Sequence, residues 1–198
     1  MPELLLSLIS FALVATISPG GATTLATASG AQFGFLRSIP LISGIALGLG
    51  TLVGAVAAGL GAVIQSWPQL NLWLRIAGSV YLLWLAWMIG RQTAPGSRSG
   101  TQATPLGLIS GVMLLWTNPK AWTMAAATAS AYSGLSQSPA LLAFITGAVF
   151  VCTASVSLAF WCSGGVWLAR SLKTNTQWRV VNILLAGLLA VSVVLMWR

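Results

Sequence analysis

Long apolar runs separated by short polar breaks organise the chain. Residues 4–33 are apolar except at Ser18-Pro19-Gly20-Gly21, and residues 38–64 and 70–90 are apolar without such a break. Residues 105–132 are apolar except at Thr117-Asn118-Pro119-Lys120, and runs at 140–169 and 178–197 follow. The most polar stretch is 91–104, RQTAPGSRSGTQAT, whose Gly, Pro, Ser and Thr content reads as a loop. Runs of about 20 apolar residues match the hydrocarbon thickness of a bilayer. None has the period-two alternation of a barrel strand. The pattern predicts an all-α integral membrane protein, a single membrane domain over 1–198 with six transmembrane helices. Helices 1 and 4 are expected to be interrupted mid-membrane. Glu3 stands where a secretory signal would carry positive charge, and more spans follow, so the first run reads as an uncleaved helix.

Composition agrees and narrows the function. Of 198 residues, 57% are apolar types and 5% are charged, whereas about a quarter of a soluble domain is charged. The hydrophobicity excludes a disordered chain. The net charge of +8 lacks a soluble fold on which to cluster, so no nucleic-acid partner is expected. Nine Lys and Arg face one acid, Glu3, and no His. That excludes carboxylate acid/base pairs, a Ser-His-Asp triad and the common metal sites. The expectation is a protein that is not an enzyme and holds no cofactor.

The basic residues orient the spans. Arg37, Arg91, Arg98, Arg170, Lys173 and Arg179 fall in the 1–2, 3–4 and 5–6 connections, and the 65–69 and 133–139 connections have none. The positive-inside rule makes the first set cytoplasmic and both termini periplasmic, in a multi-pass protein of the inner membrane. Trp84, Trp87, Trp161, Trp167 and Trp178 then suit an aromatic belt on the cytoplasmic side, and Trp67, Trp73 and Trp197 one on the other. Arg75, about a turn inside the third run, reads as snorkelling outward. Cys152 and Cys162 are ten residues apart in the fifth run, about 15 Å along a helix, too far to bond, and read as buried packing residues.

The two interrupted runs align at an offset of 100. Residues 6–30 and 106–130 share seven identities in 25 without a gap, including Pro19 with Pro119 and Thr23 with Thr123. The chain therefore divides into a repeat at about 4–91 and another at about 105–197, joined by the cytoplasmic loop 91–104. Three spans per half invert the second copy, and inverted halves with interrupted helices at matching positions are the pattern of secondary transporters.

Each proline removes a donor, clashes with the preceding turn, and pushes Ser18 or Asn118 out of the α region. Gly20 and Gly21 free the backbone further. Exposed backbone groups at that depth require a protein-lined or wet cavity. The helix starts near Gly21 and Ala121 would face each other with positive dipole ends, suited to a carboxylate. The carbonyls near Ile17 and Thr117 would suit an ammonium. Lys120 beside the second break costs about 2.5–3.5 kcal/mol to bury in a bilayer, which points to a substrate or coupling role rather than snorkelling. Asn118 either contacts substrate or bonds across helices. Thr23, Thr24 and Thr27 either contact substrate or bond back to their own helix. Trp116 and Trp122 flank the second break, too deep for a belt, and either wall the cavity or only pack, packing being the preferred reading. The substrate-binding set expected is Ser18, Pro19, Gly20, Gly21, Thr23, Thr24, Thr117, Asn118, Pro119 and Lys120, for a small zwitterion. Gly44 with Gly48 and Gly50 with Gly54 are small-xxx-small pairs that pack the second span on an interrupted one or support a homodimer.

These motifs resemble the LysE/RhtB amino-acid exporters. Ser18-Pro19-Gly20-Gly21 is similar to their TPGP element, with Gly21 in place of the second proline. Asn118-Pro119-Lys120-Ala121 matches their NPKA element, and Gly78 to Trp87, GSVYLLWLAW, resembles their third-span signature. The Gly-rich run with Gly30, Gly34, Gly44 and Gly48 is similar too. The YLLWLAW run and the ending WRVVNILLAGLLAV look closest to the cysteine and O-acetylserine exporter branch. The resemblance implies export of amino acids or derivatives across the inner membrane, by exchange with an ion, usually a proton. Lys120, Glu3, a Tyr, a Cys or the substrate itself is then the proton's carrier, since no other acid or His exists. The alternatives are a membrane thiol-electron carrier, which needs cysteines near the breaks, and a cation exporter, which the lack of carboxylates and His disfavours.

Overall fold

The computed structural model describes residues 2–60, 68–92 and 104–197, and the described residues are mostly helical, without strands. Eight α-helices occur among them: α1 Pro2–Ile17, α2 Gly21–Phe33, α3 Phe35–Ala55, α4 Pro68–Gly90, α5 Leu108–Trp116, α6 Pro119–Ala131, α7 Pro139–Ser171 and α8 Asn175–Met196. A π-helical turn, Val56–Leu60, extends α3, and a 3₁₀ turn, Ser133–Leu135, follows α6. Trp67, Arg98 with the rest of 93–103, and the Arg75 side chain lie outside the described residues.

The helix boundaries have local causes. Gly34 adopts φ +80°, a left-handed conformation that favours glycine, and separates α2 from α3. Ser138 caps α7 by accepting from the Leu141 amide, with Pro139 at the first helical position. Thr174 and Gln177 form a reciprocal capping box at α8.

Phe35–Leu60, Pro139–Ser171 and Asn175–Val194 are long and apolar enough to cross a membrane, and α1 with α2, bent by 59°, form a fourth such unit. Of the six expected spans, the third falls on a shorter apolar helical stretch, Ile76–Gly90, and the fourth on two short helices, α5 and α6.

Glycines bring the helices together. A methyl on Gly44 would collide with the Leu108 carbonyl, and one on Gly111 with the backbone of Leu41, Gly44 and Ile45, so α3 and α5 touch backbone to backbone. Gly48 meets Val112 on the same seam, whereas Gly50 and Gly54 meet Gly147 and Ala143 of α7. Both small-residue pairs of α3 are therefore used within the chain, the first against an interrupted helix as expected. Gly30 abuts the Cys162 carbonyl and Gly165 the Thr27 carbonyl, seating α2 on α7. Helix α1 also packs on α7, α6 on α3, and α4 on α8. Leu8, Leu41, Ile45, Leu52, Leu114 and Phe150 fill the centre.

Candidate functional site

Pro19 has no N–H to give the Ala15 carbonyl, and the helix stops. The three carbonyls left open find other donors. Ala15 accepts from Ser18 Oγ at 2.9 Å, Thr16 from Ser157 Oγ at 2.8 Å, and Ile17 from Trp161 Nε1 at 3.1 Å. The Gly20 amide, freed from Thr16, donates to Thr23 Oγ1 at 2.8 Å. Thr23 thereby bonds locally, and α2 restarts at Gly21.

The second break closes itself differently. Asn118 Oδ1 accepts from the Lys120 amide at 3.0 Å, and the Asn118 carbonyl accepts from the Ala121 and Trp122 amides at 2.9 and 3.3 Å. Pro119 sits at the first helical position, where its missing N–H costs nothing. The Trp116 carbonyl takes Trp122 Nε1 at 2.7 Å, and the two indoles meet edge to face with centroids 5.9 Å apart. Trp116 Nε1 also donates to Thr51 Oγ1 at 3.3 Å, so both rings pack and cap, as expected of them. The Thr117 carbonyl lies against Gly78 of α4.

The two breaks meet. Lys120 Nζ donates to Ser18 Oγ at 3.0 Å, and a Cβ on Gly20 would stand 3.4 Å from the same nitrogen. A cavity of about 60 Å³ opens here. Ser18, Gly20, Gly21, Thr23, Asn118 and Lys120 of the expected set line it. Pro19, Thr24, Thr117 and Pro119 are not among the lining residues, and the Thr117 hydroxyl donates to its own helix at Met113. Lys120 is the one charged lining residue, and the chain's one acid, Glu3, is 15 residues before Ser18 on an exposed first turn.

Sequence reasoning missed the walls. Ile45 and Leu49 of α3, Leu115 of α5, Met124 of α6, and Ala154 and Leu158 of α7 also line the cavity, with Ala15, Thr16, Ala22 and Ala121 beside the breaks. The i, i+4 spacing of Ile45 with Leu49, beside the glycine seam, was the available signal. The carbonyls expected to await an ammonium already have neighbours: Ile17 holds an indole N–H and Thr117 packs on Gly78. Trp161 is thus a correction to the belt assignment, because its Nε1 serves the first break. Trp161 is half-buried and Trp178 buried, whereas Trp73, Trp84, Trp87, Trp167 and Trp197 are exposed as an interface residue would be. Neither cysteine lines the cavity; Cys162 is buried against Gly30 as expected, whereas Cys152 is exposed, which corrects its assignment as a buried packing residue.

Apolar helices long enough to span a bilayer, packed around a cavity where two helix breaks converge, are consistent with an integral membrane protein. Residues 13–197 match the LysE type translocator family, and the chain belongs to that family. It is therefore of a transporter family and not an enzyme. Among curated relatives, it is similar to the cysteine/O-acetylserine efflux proteins of Escherichia coli strain K12 and Shigella sonnei, each 33% identical over 122 residues, and to that of Shigella flexneri at the same identity. The matched region covers 60% of this chain and 60% of each relative. No solved structure matches.

Proposed function

We propose that the chain is a secondary transporter that exports amino acids or close derivatives across the bacterial inner membrane, binding them between its two Pro-interrupted helices. The observation that carries this reading is the 3.0 Å contact from Lys120 Nζ to Ser18 Oγ, which joins the two breaks inside one cavity. A substrate carboxylate has the Lys120 ammonium beside it. It also has the first-turn amides of α2 at Gly21 and Ala22, which a helix start leaves without intrahelical partners. The Lys120, Ala121 and Trp122 amides of α6 are already taken by Asn118. Lys120 therefore does for the second break what backbone amides do for the first. The substrate ammonium has the oxygens of Ser18, Thr23 and Asn118 as acceptors. Apart from Thr16, whose hydroxyl bonds back to its own helix, the rest of the wall is aliphatic and holds no acid, which favours small uncharged side chains. That agrees with relatives named for cysteine and O-acetylserine.

The same reading takes the chain as two inverted repeats of three spans, 4–91 and 105–197. The pairing supports it: α7 from the second half backs the broken pair α1–α2, and α3 from the first half backs the broken pair α5–α6. The basic residues then give both termini to the periplasm. Substrate exchanges for a proton carried by Lys120, the titratable group in the cavity lining.

Counterflow of an amino-acid panel in proteoliposomes at several pH values tests the reading. The expected result is counterflow of L-cysteine and O-acetylserine that is abolished by Lys120→Ala and Pro119→Ala, with membrane insertion preserved. Normal counterflow in Lys120→Ala would sink the site. Efflux indifferent to an imposed pH gradient would remove the proton.

A further inference from the structure

We propose that Ser157 and Trp161 of α7 are positioning residues for substrate binding, holding the first break at the angle that brings Ser18 to Lys120. The inference rests on the cavity being the substrate site. A helix that breaks loses the donors for its last carbonyls, and those carbonyls cost free energy when buried and unpaired. Thr16 and Ser157 are both buried, and Ser157 Oγ supplies the missing donor at 2.8 Å. Trp161 supplies the next at 3.1 Å. The two donors are one turn apart on α7 and meet consecutive carbonyls of α1, as side chains at i and i+4 on one face can.

The same stretch of α7 grips the other limb. Thr27 Oγ1 donates to the Trp161 carbonyl at 3.3 Å, Gly30 abuts the Cys162 carbonyl, and Gly165 abuts the Thr27 carbonyl. Residues 157–165 of α7 thus hold both α1 and α2, and act as a splint across the 59° bend. Neither Ser157 nor Trp161 lines the cavity, although Ala154 and Leu158 of the same helix do. Their effect on substrate passes through the backbone of residues 16 and 17 to Ser18, the residue that receives Lys120.

The test has a distance arm and a transport arm, both on the full chain in a Cys152→Ser/Cys162→Ser background. Spin labels at Leu6→Cys of α1 and Leu36→Cys of α3, both exposed, report the bend through the distance between them. The parent is expected to give one narrow distance, and Ser157→Ala with Trp161→Phe a broadened or shifted one. Without spin labels, each single variant is expected to raise the half-saturating L-cysteine concentration in counterflow about fivefold, the worth of one neutral hydrogen bond, with maximal rate unchanged. Ser157→Thr keeps the donor and should restore both readings. An unchanged distance distribution overturns the proposal. So does an unchanged half-saturation, including the case where variants lower only the amount of folded carrier. Lys120→Ala run alongside separates the two ideas: normal transport there overturns the site reading instead.

Discussion

Gly78→Ala tests whether the second break is built by backbone contact. Gly78 is buried in α4, and a methyl there would fall on the Thr117 carbonyl, 2.9 Å from its carbon and closer still to its oxygen. Real Cβ contacts essentially never fall under 3.0 Å, and the oxygen is far inside that limit, so the two backbones must part by about 1 Å or more. Neither atom is on a flexible side chain, and forced overpacking of this kind costs about 1–3 kcal/mol. The matched control is Gly164→Ala on an exposed face of α7, where a Cβ meets nothing within 4 Å. Both changes gain the same helix propensity, about 1 kcal/mol, so the difference between them isolates the collision. Denaturant unfolding of both purified variants in one detergent should show Gly78→Ala less stable by about 1–3 kcal/mol. Because Thr117 directly precedes Asn118, the shift also reaches Lys120, whose 3.0 Å bond to Ser18 has little slack before it leaves hydrogen-bond range. Half-saturation for L-cysteine should rise in Gly78→Ala and stay at the parent value in Gly164→Ala. Equal stability and equal transport in the two variants would refute the reasoning, since α4 would then be giving way at no cost.

Ser18→Asp should convert the Lys120 contact into an ion pair and block counterflow while leaving insertion intact; transport at the parent rate would mean that substrate does not need Lys120 free. Met124→Ala removes the longest flexible side chain of the aliphatic wall, and competition counterflow should shift towards bulkier neutral amino acids by roughly tenfold, the scale of a methylene or two in an apolar pocket. An unchanged ranking of competitors would take Met124 out of the side-chain wall.

Much of this was readable in the chain because its causes are local. The apolar runs ending at 33, 90 and 132 correspond to helices ending at Phe33, Gly90 and Ala131. Hydropathy predicts such boundaries well because a bilayer tolerates only internally bonded backbone. Proline acts on its own turn, so the breaks at 18–20 and 117–118 were legible as well. What the sequence hid lies across space. In a chain whose outer surface is as apolar as its interior, hydrophobic period does not say which face is inside. That is why Ile45, Leu49 and Leu158 went unread as cavity walls. Trp161 was assigned by its nearness to Arg170, yet nine residues are two and a half helical turns, and a ring that far up the helix reaches the first break instead.

The single acid takes on meaning at this site. A helix break beside a lysine would ordinarily invite a carboxylate partner, since a charge with an anionic neighbour is better held than one beside a hydroxyl. Here the chain offers only Ser18, with Glu3 fifteen residues earlier in the same helix. A neutral partner leaves the strong interaction unmade. An incoming carboxylate can then replace the Ser18 hydroxyl with a full ion pair to Lys120, and it meets no protein acid that it must first displace. A resident Asp or Glu would reverse that order, because breaking its pair with Lys120 would leave two poorly solvated charges for the substrate to compensate. On the proposed reading, the scarcity of acids serves the cavity as well as sparing the cost of charge in a bilayer, because a zwitterion there meets one lysine, helix-start amides and hydroxyls and no competing carboxylate.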